Sequence, residues 1–313
     1  MTFGNFYNVD KIHINISNYA SGIIENDVAC FSYGKEVKQA AIIHRIILNC
    51  VLSPKKKRKL ESLKDKLPKY EKGVVIKYRP NDPVRDEFLS DCFDCTPFEI
   101  PGECIKALIE EYALLPYFKR EEIFFKERFD IINDCIKAKY SLRFRNKNNE
   151  ELVVIPHKIE QDKWSSFNYL ICCEKIDGVL RYINLRIAFL ENFSQKSVVR
   201  DAEQNLSDED VRAIEAAKKV KGVQFLSDDT THIKVRLTQV GQTMYKRMLF
   251  LRPVWSNISK CKDGNAIYEF NCTERQIEYY FFKFGKEALV LEPEGLRQAF
   301  LQKYEEAVEK YSC

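Results

Sequence analysis

Residues 153–160 read VVIPHKIE, and residues 165–193 read SSFNYLICCEKIDGVLRYINLRIAFLENF. With Leu152 just before the first, they hold three apolar runs, Leu152–Ile155, Phe167–Cys173 and Val179–Phe189. Each run has strand length, and Asp177-Gly178 marks a tight turn between the last two. The period of two begins earlier. Lys137, Lys139, Ser141, Arg143 and Arg145 alternate with Ile136, Ala138, Tyr140, Leu142 and Phe144. Several short strands within about sixty residues predict a small β-barrel. Alternate side chains on a strand stand about 7 Å apart, close to the phosphate spacing of an extended single strand. A row of cations at that pitch suits a nucleic-acid backbone. An edge strand guarded by lysines gives the same pattern.

These residues resemble the WYL domain, an Sm-like barrel of bacterial regulators. Pro156 stands where that family has a Pro after its second strand. Tyr169 and Leu170 match two letters of the Trp-Tyr-Leu motif, Asn168 replaces the Trp, and Arg186 matches the arginine of the final strand. The resemblance implies nucleic-acid or nucleotide recognition on this module. The candidate RNA-binding residues are Lys139, Arg143, Arg145, His157, Tyr169, Arg181 and Arg186.

Downstream, RDAEQNLSDEDVRAIEAAKK (200–219) predicts a connecting helix capped near Ser207. His232, Lys234, Arg236 and Thr238 then alternate with Ile233, Val235 and Leu237 as a strand. Thr273 and Gln276 form a capping box before Ile277, Tyr280 and Phe281, and Gly285 closes that helix. A strand ALVLEP and a last helix from Glu294 to Lys310 complete an α/β sandwich. The string TERQIEYYFFKFGKEALVLEPEGLRQAFLQKYEEAVEKY (273–311) is similar to the C-terminal extension that accompanies WYL domains.

Upstream, Ile12, Ile14 and Ile16 alternate with Lys11, His13 and Asn15. Ser17 or Asn18 caps a following helix, and after Gly34 a second helix carries a broad apolar stripe. About fifty residues are too few to bury such faces alone, which predicts a homodimer. KIHINIS (11–17) followed by KQAAIIHRIILN (38–49) resembles a ribbon-helix-helix domain. There, two strands pair across a dimer and enter the major groove of DNA. The resemblance makes Lys11, His13 and Asn15 the candidate readers of duplex DNA. Ser53 and Pro54 open a third helix carrying the basic run Lys55–Lys59, and Pro80, Pro83, Pro97 and Pro101 mark a connector. The expected class is α+β multidomain: ribbon-helix-helix (1–52), helical linker region (53–135), WYL barrel (136–195) and C-terminal α/β sandwich (207–313).

Composition is ordinary for folded domains: 45% apolar, 31% charged and a formal charge of +4. No stretch approaches a membrane span, and the N-terminal residues lack a signal-peptide pattern, so a cytoplasmic protein is expected. Eleven scattered cysteines read as reduced thiols. Cys92 and Cys95 have metal spacing but no second pair. No phosphate loop, HExxH or GxSxG motif occurs, so neither an enzyme nor a cofactor is expected. The order of modules is similar to that of the WYL accessory proteins of type VI-D CRISPR systems. That resemblance implies single-stranded RNA and an RNA-guided ribonuclease effector as partners. A dimeric DNA-binding transcriptional regulator with a nucleotide- or nucleic-acid-sensing WYL domain is the alternative.

Overall fold

A computed structural model describes residues 11–32, 36–49, 73–84, 98, 100–145, 151–162, 166–176, 179–190, 193–200 and 206–312. Three antiparallel sheets occur among them. The basic run Lys55–Lys59 and the pair Cys92 and Cys95 lie outside the described residues.

Strand β1 (Ile12–Ile16) alternates buried and exposed residues, as its sequence dictates. Ser17 ends it and caps helix α1 (Asn18–Phe31), its hydroxyl accepting from the Ala20 amide at 3.0 Å. Helix α2 (Gln39–Asn49) buries Ile42, Ile43, Ile46 and Ile47. The strand partner expected from a second chain is supplied in cis. β2 (Val74–Tyr78) pairs antiparallel with β1, from Ile12 opposite Tyr78 to Ile16 opposite Val74.

The apolar stripe is likewise covered within the chain, by α3 (Pro101–Ala113) and α4 (Tyr117–Phe124). The Ser17 amide and hydroxyl donate to the Glu110 carboxylate of α3 at 2.7 and 2.8 Å, which ties the start of α1 to this helix. Fully buried Asp27 of α1 accepts from Arg120 Nε at 2.7 Å, Arg120 Nη2 at 3.0 Å and the Tyr112 hydroxyl at 2.7 Å. A buried charge is tolerable only with such pairing.

Helix α5 (Lys126–Ala138) runs further than its sequence suggested. Ile136–Ala138 are helical, and Lys139 caps the helix in the left-handed region at φ 58°. The expected row of strand cations therefore shrinks to Arg143 and Arg145 on β3 (Ser141–Arg145).

β4 (Glu151–Gln161), β5 (Asn168–Ile176) and β6 (Val179–Arg186) follow, and β7 (Val198–Val199) pairs on the far side of β3. The order β6-β5-β4-β3-β7 is an open sheet among the described residues, not the closed barrel expected. β4 carries a bulge at His157, between the pairs Pro156–Cys172 and Lys158–Ile171. Pro156 has no amide to donate, so the ladder breaks most cheaply there.

β5 reads as a solid apolar run because both its faces are covered. Leu170 and Cys172 join the N-terminal core, whereas Tyr169, Ile171 and Cys173 pack with Ile214 of α6 (Asp208–Lys221). Ser207 caps α6 through the capping box that the sequence announced.

The C-terminal part has the order β8 (Thr231–Leu237), α7 (Gln239–Arg247), β9 (Trp255–Lys260), β10 (Ala266–Cys272), α8 (Glu274–Phe281), β11 (Ala288–Glu292) and α9 (Glu294–Tyr311). Its sheet order is β11-β8-β10-β9. Ile233, Val235, Tyr268 and Phe270 share a core with Ile277, Tyr280 and Phe281 of α8 and Phe300 of α9. The alternate residues His232, Lys234 and Arg236 take the opposite side of the sheet. This two-layer arrangement agrees with the expected α/β sandwich. No described helix is long and apolar enough to cross a membrane.

Candidate nucleic-acid interface

A cleft of about 640 Å³ opens between the central sheet and the segment that leads into the C-terminal sheet. Phe144 and Arg145 of β3, Tyr169 of β5, and Arg181, Ile183 and Arg186 of β6 line the first wall. Gln224, Ser227, Asp228 and Arg275 line the second. The volume falls within the range of small-ligand sites. Among its described lining residues, four arginines against a single carboxylate give the cleft a positive field that favours anions.

Arg186 is the most firmly held of the four. Its guanidinium carbon lies 3.5 Å from the ring centre of Phe167 and 4.1 Å from that of Phe189. The cation is thus held against two π-systems. Arg275, next to the Thr273 cap of α8, donates to both Asp228 oxygens at 3.1 Å. Asn184 and Ser227 hydrogen-bond to each other across the cleft, the Asn184 amide donating to the Ser227 hydroxyl at 2.8 Å. Arg181 stands on β6 opposite Glu174 and makes no ion pair with a described residue.

The structure divides the residues chosen from sequence. Arg145, Tyr169, Arg181 and Arg186 come together in the cleft. Tyr169 is 8% exposed, so it offers little surface for stacking. Lys139 and His157 line a separate depression of about 160 Å³ with Tyr140, Pro156 and Val211. His157 Nε2 lies 3.8 Å from Glu215, and burial pulls its pKa below the ordinary histidine value. Arg143 is exposed, 3.4 Å from the Glu151 carboxylate. At the other end of the molecule Lys11, His13 and Asn15 are all exposed, and His13 pairs across from exposed Lys77 of β2.

Sequence reasoning missed the second wall entirely. Gln224, Ser227, Asp228 and Arg275 lie far along the chain from the strands they face, and no local pattern links them. Phe167 and Phe189 flank two of the quoted strands, but their grip on Arg186 depends on how the strand ends meet.

No family model matches the chain, and comparison with curated proteins gives no match. Among solved structures, the chain is similar to one titled "Crystal structure of a CRISPR Cas-related protein". The identity is 23% and the TM-score 0.75, over 97% of this chain and 94% of that one. The two proteins share a fold. A weaker likeness, with 15% identity and a TM-score of 0.31, is to proteasome accessory factor B/C of Arthrobacter aurescens, over 76% of this chain and 37% of that one.

Proposed function

We propose that this chain is a non-catalytic accessory protein of a CRISPR system, which binds single-stranded RNA in the arginine cleft and modulates an RNA-guided ribonuclease effector. The observation that carries the reading is the cleft itself: four arginines, one of them held against two rings, share the described lining with a single carboxylate. Phosphodiester contacts need N–H donors of this kind, and RNA adds bases that stack where rings are exposed. The shared fold with a CRISPR Cas-related protein supports the assignment to such a system. The similarity of module order to type VI-D accessory proteins supports the choice of effector.

The test is fluorescence anisotropy with a labelled single-stranded oligouridylate. Replacing Arg181 and Arg275 together by alanine should weaken binding at least about tenfold, since each lost phosphate contact also removes a counterion-release contribution. Unchanged affinity in a variant whose circular dichroism is native would overturn the reading.

A second surface favours the regulator alternative. The β1–β2 ribbon presents Lys11, His13, Asn15 and Lys77 outward, and a two-stranded ribbon fits the major groove. Duplex DNA would then bind there, and the alanine triple variant of Lys11, His13 and Asn15 should lose duplex binding while keeping RNA binding. The homodimer is part of the proposal as well. Each ribbon strand has one edge unpaired among the described residues, and such edges invite a second copy. A monomer by light scattering at micromolar concentration would exclude it.

A further inference from the structure

Beneath the cleft lies Glu121 of α4, whose side chain has no exposed surface. One of its oxygens, Oε2, accepts from the Asn168 backbone amide at 2.9 Å and from Asn168 Nδ2 at 2.7 Å. The other, Oε1, accepts no hydrogen bond and stands 3.9 Å from Arg186 Nη2. Arg186 Nε is buried too, and it has no acceptor among the described residues. A buried carboxylate and a partly buried guanidinium therefore face each other just short of contact, each with an unmade hydrogen bond. Such an arrangement is costly unless something else uses the free valence.

Both partners are held by other groups. Phe167 and Phe189 lie against the guanidinium. Asn168 pins the carboxylate, and Asn168 is itself held by the Phe118 carbonyl at 2.8 Å. The turn after Arg186 is fixed in turn by Arg128 of α5, which donates to the Ile187 and Ala188 carbonyls at 2.9 Å each.

We propose that Glu121 is the resident counter-ion of the cleft, competing with the phosphate of an incoming ligand for Arg186 and so setting the affinity of the cleft for phosphodiesters. This inference rests on the reading of the cleft as a phosphate-binding site. It makes Glu121 a positioning residue that never touches the ligand.

The charge on Glu121 is then the control. Cys30 of α1, Tyr117 of α4, Arg128 of α5 and Arg186 of β6 face it. Burial pushes the Cys30 thiol and the Tyr117 hydroxyl up, so both stay neutral at and below neutral pH. Burial also pushes the Glu121 carboxyl up, against the Asn168 hydrogen bonds and the Arg186 charge. On acidification Glu121 takes up a proton earlier than an ordinary carboxylate, its hold on Arg186 ends, and phosphate binds more tightly.

The experiment measures the affinity of the full chain for a labelled single-stranded oligouridylate between pH 8 and 5.5 at constant ionic strength. Glu121→Gln keeps an oxygen for both Asn168 donors. It should bind about tenfold more tightly than the native protein at pH 8, the size expected for removing one partly screened buried charge near the ligand. It should also lose most of the gain seen on acidification. In an Arg186→Gln background the same substitution should change nothing. An affinity at pH 8 no tighter than native, or a gain that persists without Arg186, overturns the inference. Where Glu121→Gln fails to fold, the native pH profile is set against that of Arg186→Gln: a flatter profile for the variant supports the counter-ion, and equal profiles overturn it. The cleft reading is tested separately by the Arg181 and Arg275 alanine pair. If that pair weakens binding while Glu121→Gln leaves it unchanged, only the counter-ion role falls.

Discussion

A row of cations alternates along β8, two further arginines stand on β6, and the two groups end in opposite states. On β8, His232, Lys234 and Arg236 occupy the side of the C-terminal sheet away from its helices, and each has met an acid. His232 Nε2 is 3.5 Å from Glu269, Lys234 Nζ is 3.0 Å from Glu292, and Arg236 pairs with Asp263. In the cleft, Arg181 has no acid partner among the described residues, and Arg186 faces one that stands off at 3.9 Å. What separates them is which neighbouring strand the topology lays alongside. β10 and β11 bring Glu269 and Glu292 to the sheet, and the turn before β10 brings Asp263. A cation count therefore says little about nucleic-acid binding until the acids facing it are known. Arg143 repeats the lesson, since Glu151 on the next strand answers it.

The sharpest way to break this contrast is to remove cations from both groups. Alanine at Arg181 and Arg275 should weaken single-stranded RNA binding at least about tenfold, whereas alanine at Lys234 and Arg236 should change it less than about twofold. Equal losses, read by anisotropy, would mean that the C-terminal sheet is the true interface. A smaller effect should come from releasing the paired row. Glu292→Gln with Asp263→Asn leaves Lys234 and Arg236 unanswered. RNA affinity should then rise about threefold at low salt, and the slope of log affinity against log salt should steepen by up to about 0.7 per phosphate engaged. No change in slope would show that the sheet lacks the shape for a strand, whatever its charge.

A third effect concerns pH. Because burial raises the Glu121 pKa, the folded state binds more protons than the unfolded state between the ordinary carboxylate range and that raised value. Stability should fall as pH rises through this window, and Glu121→Gln should remove that slope in chemical denaturation at a series of pH values. The smallest effect belongs to the paired row. Lys234→Ala should cost about 0.5 kcal/mol in the same assay, because exposed ion pairs contribute little.

Much of the fold was legible where a local cause decides it. Ser17, Ser207 and Thr273 announced helix starts because a hydroxyl at that position has an amide to satisfy. Strands β4 to β6 followed from their apolar runs and the Asp177-Gly178 turn. Lys139 was misplaced because its alternation continues across a helix end, and two or three residues cannot tell the last helical turn from the first strand pair. The barrel was expected from strand count alone, but closure depends on how the edges meet, which no single strand encodes. Half of the cleft was legible through β6 and the WYL-like Arg186. The other half was not, because residues 224–228 and 275 reach it through the packing of separate elements. Glu121 was invisible for a related reason: on its helix it reads as one more solvent-facing acid.

The pairing of β1 with β2 also sets a schedule for the growing chain. Ile16 is synthesised well before its partner Val74, and Ile12 waits for Tyr78. At ribosomal speeds of about 5–20 residues per second, the first strand spends roughly 3–12 s with both edges bare and three isoleucines uncovered. During that interval the nascent segment is a ready target for chaperones, or for the same strand on a neighbouring ribosome of one polysome. The order in which the chain leaves the ribosome then influences whether the ribbon closes on itself or on a sister copy.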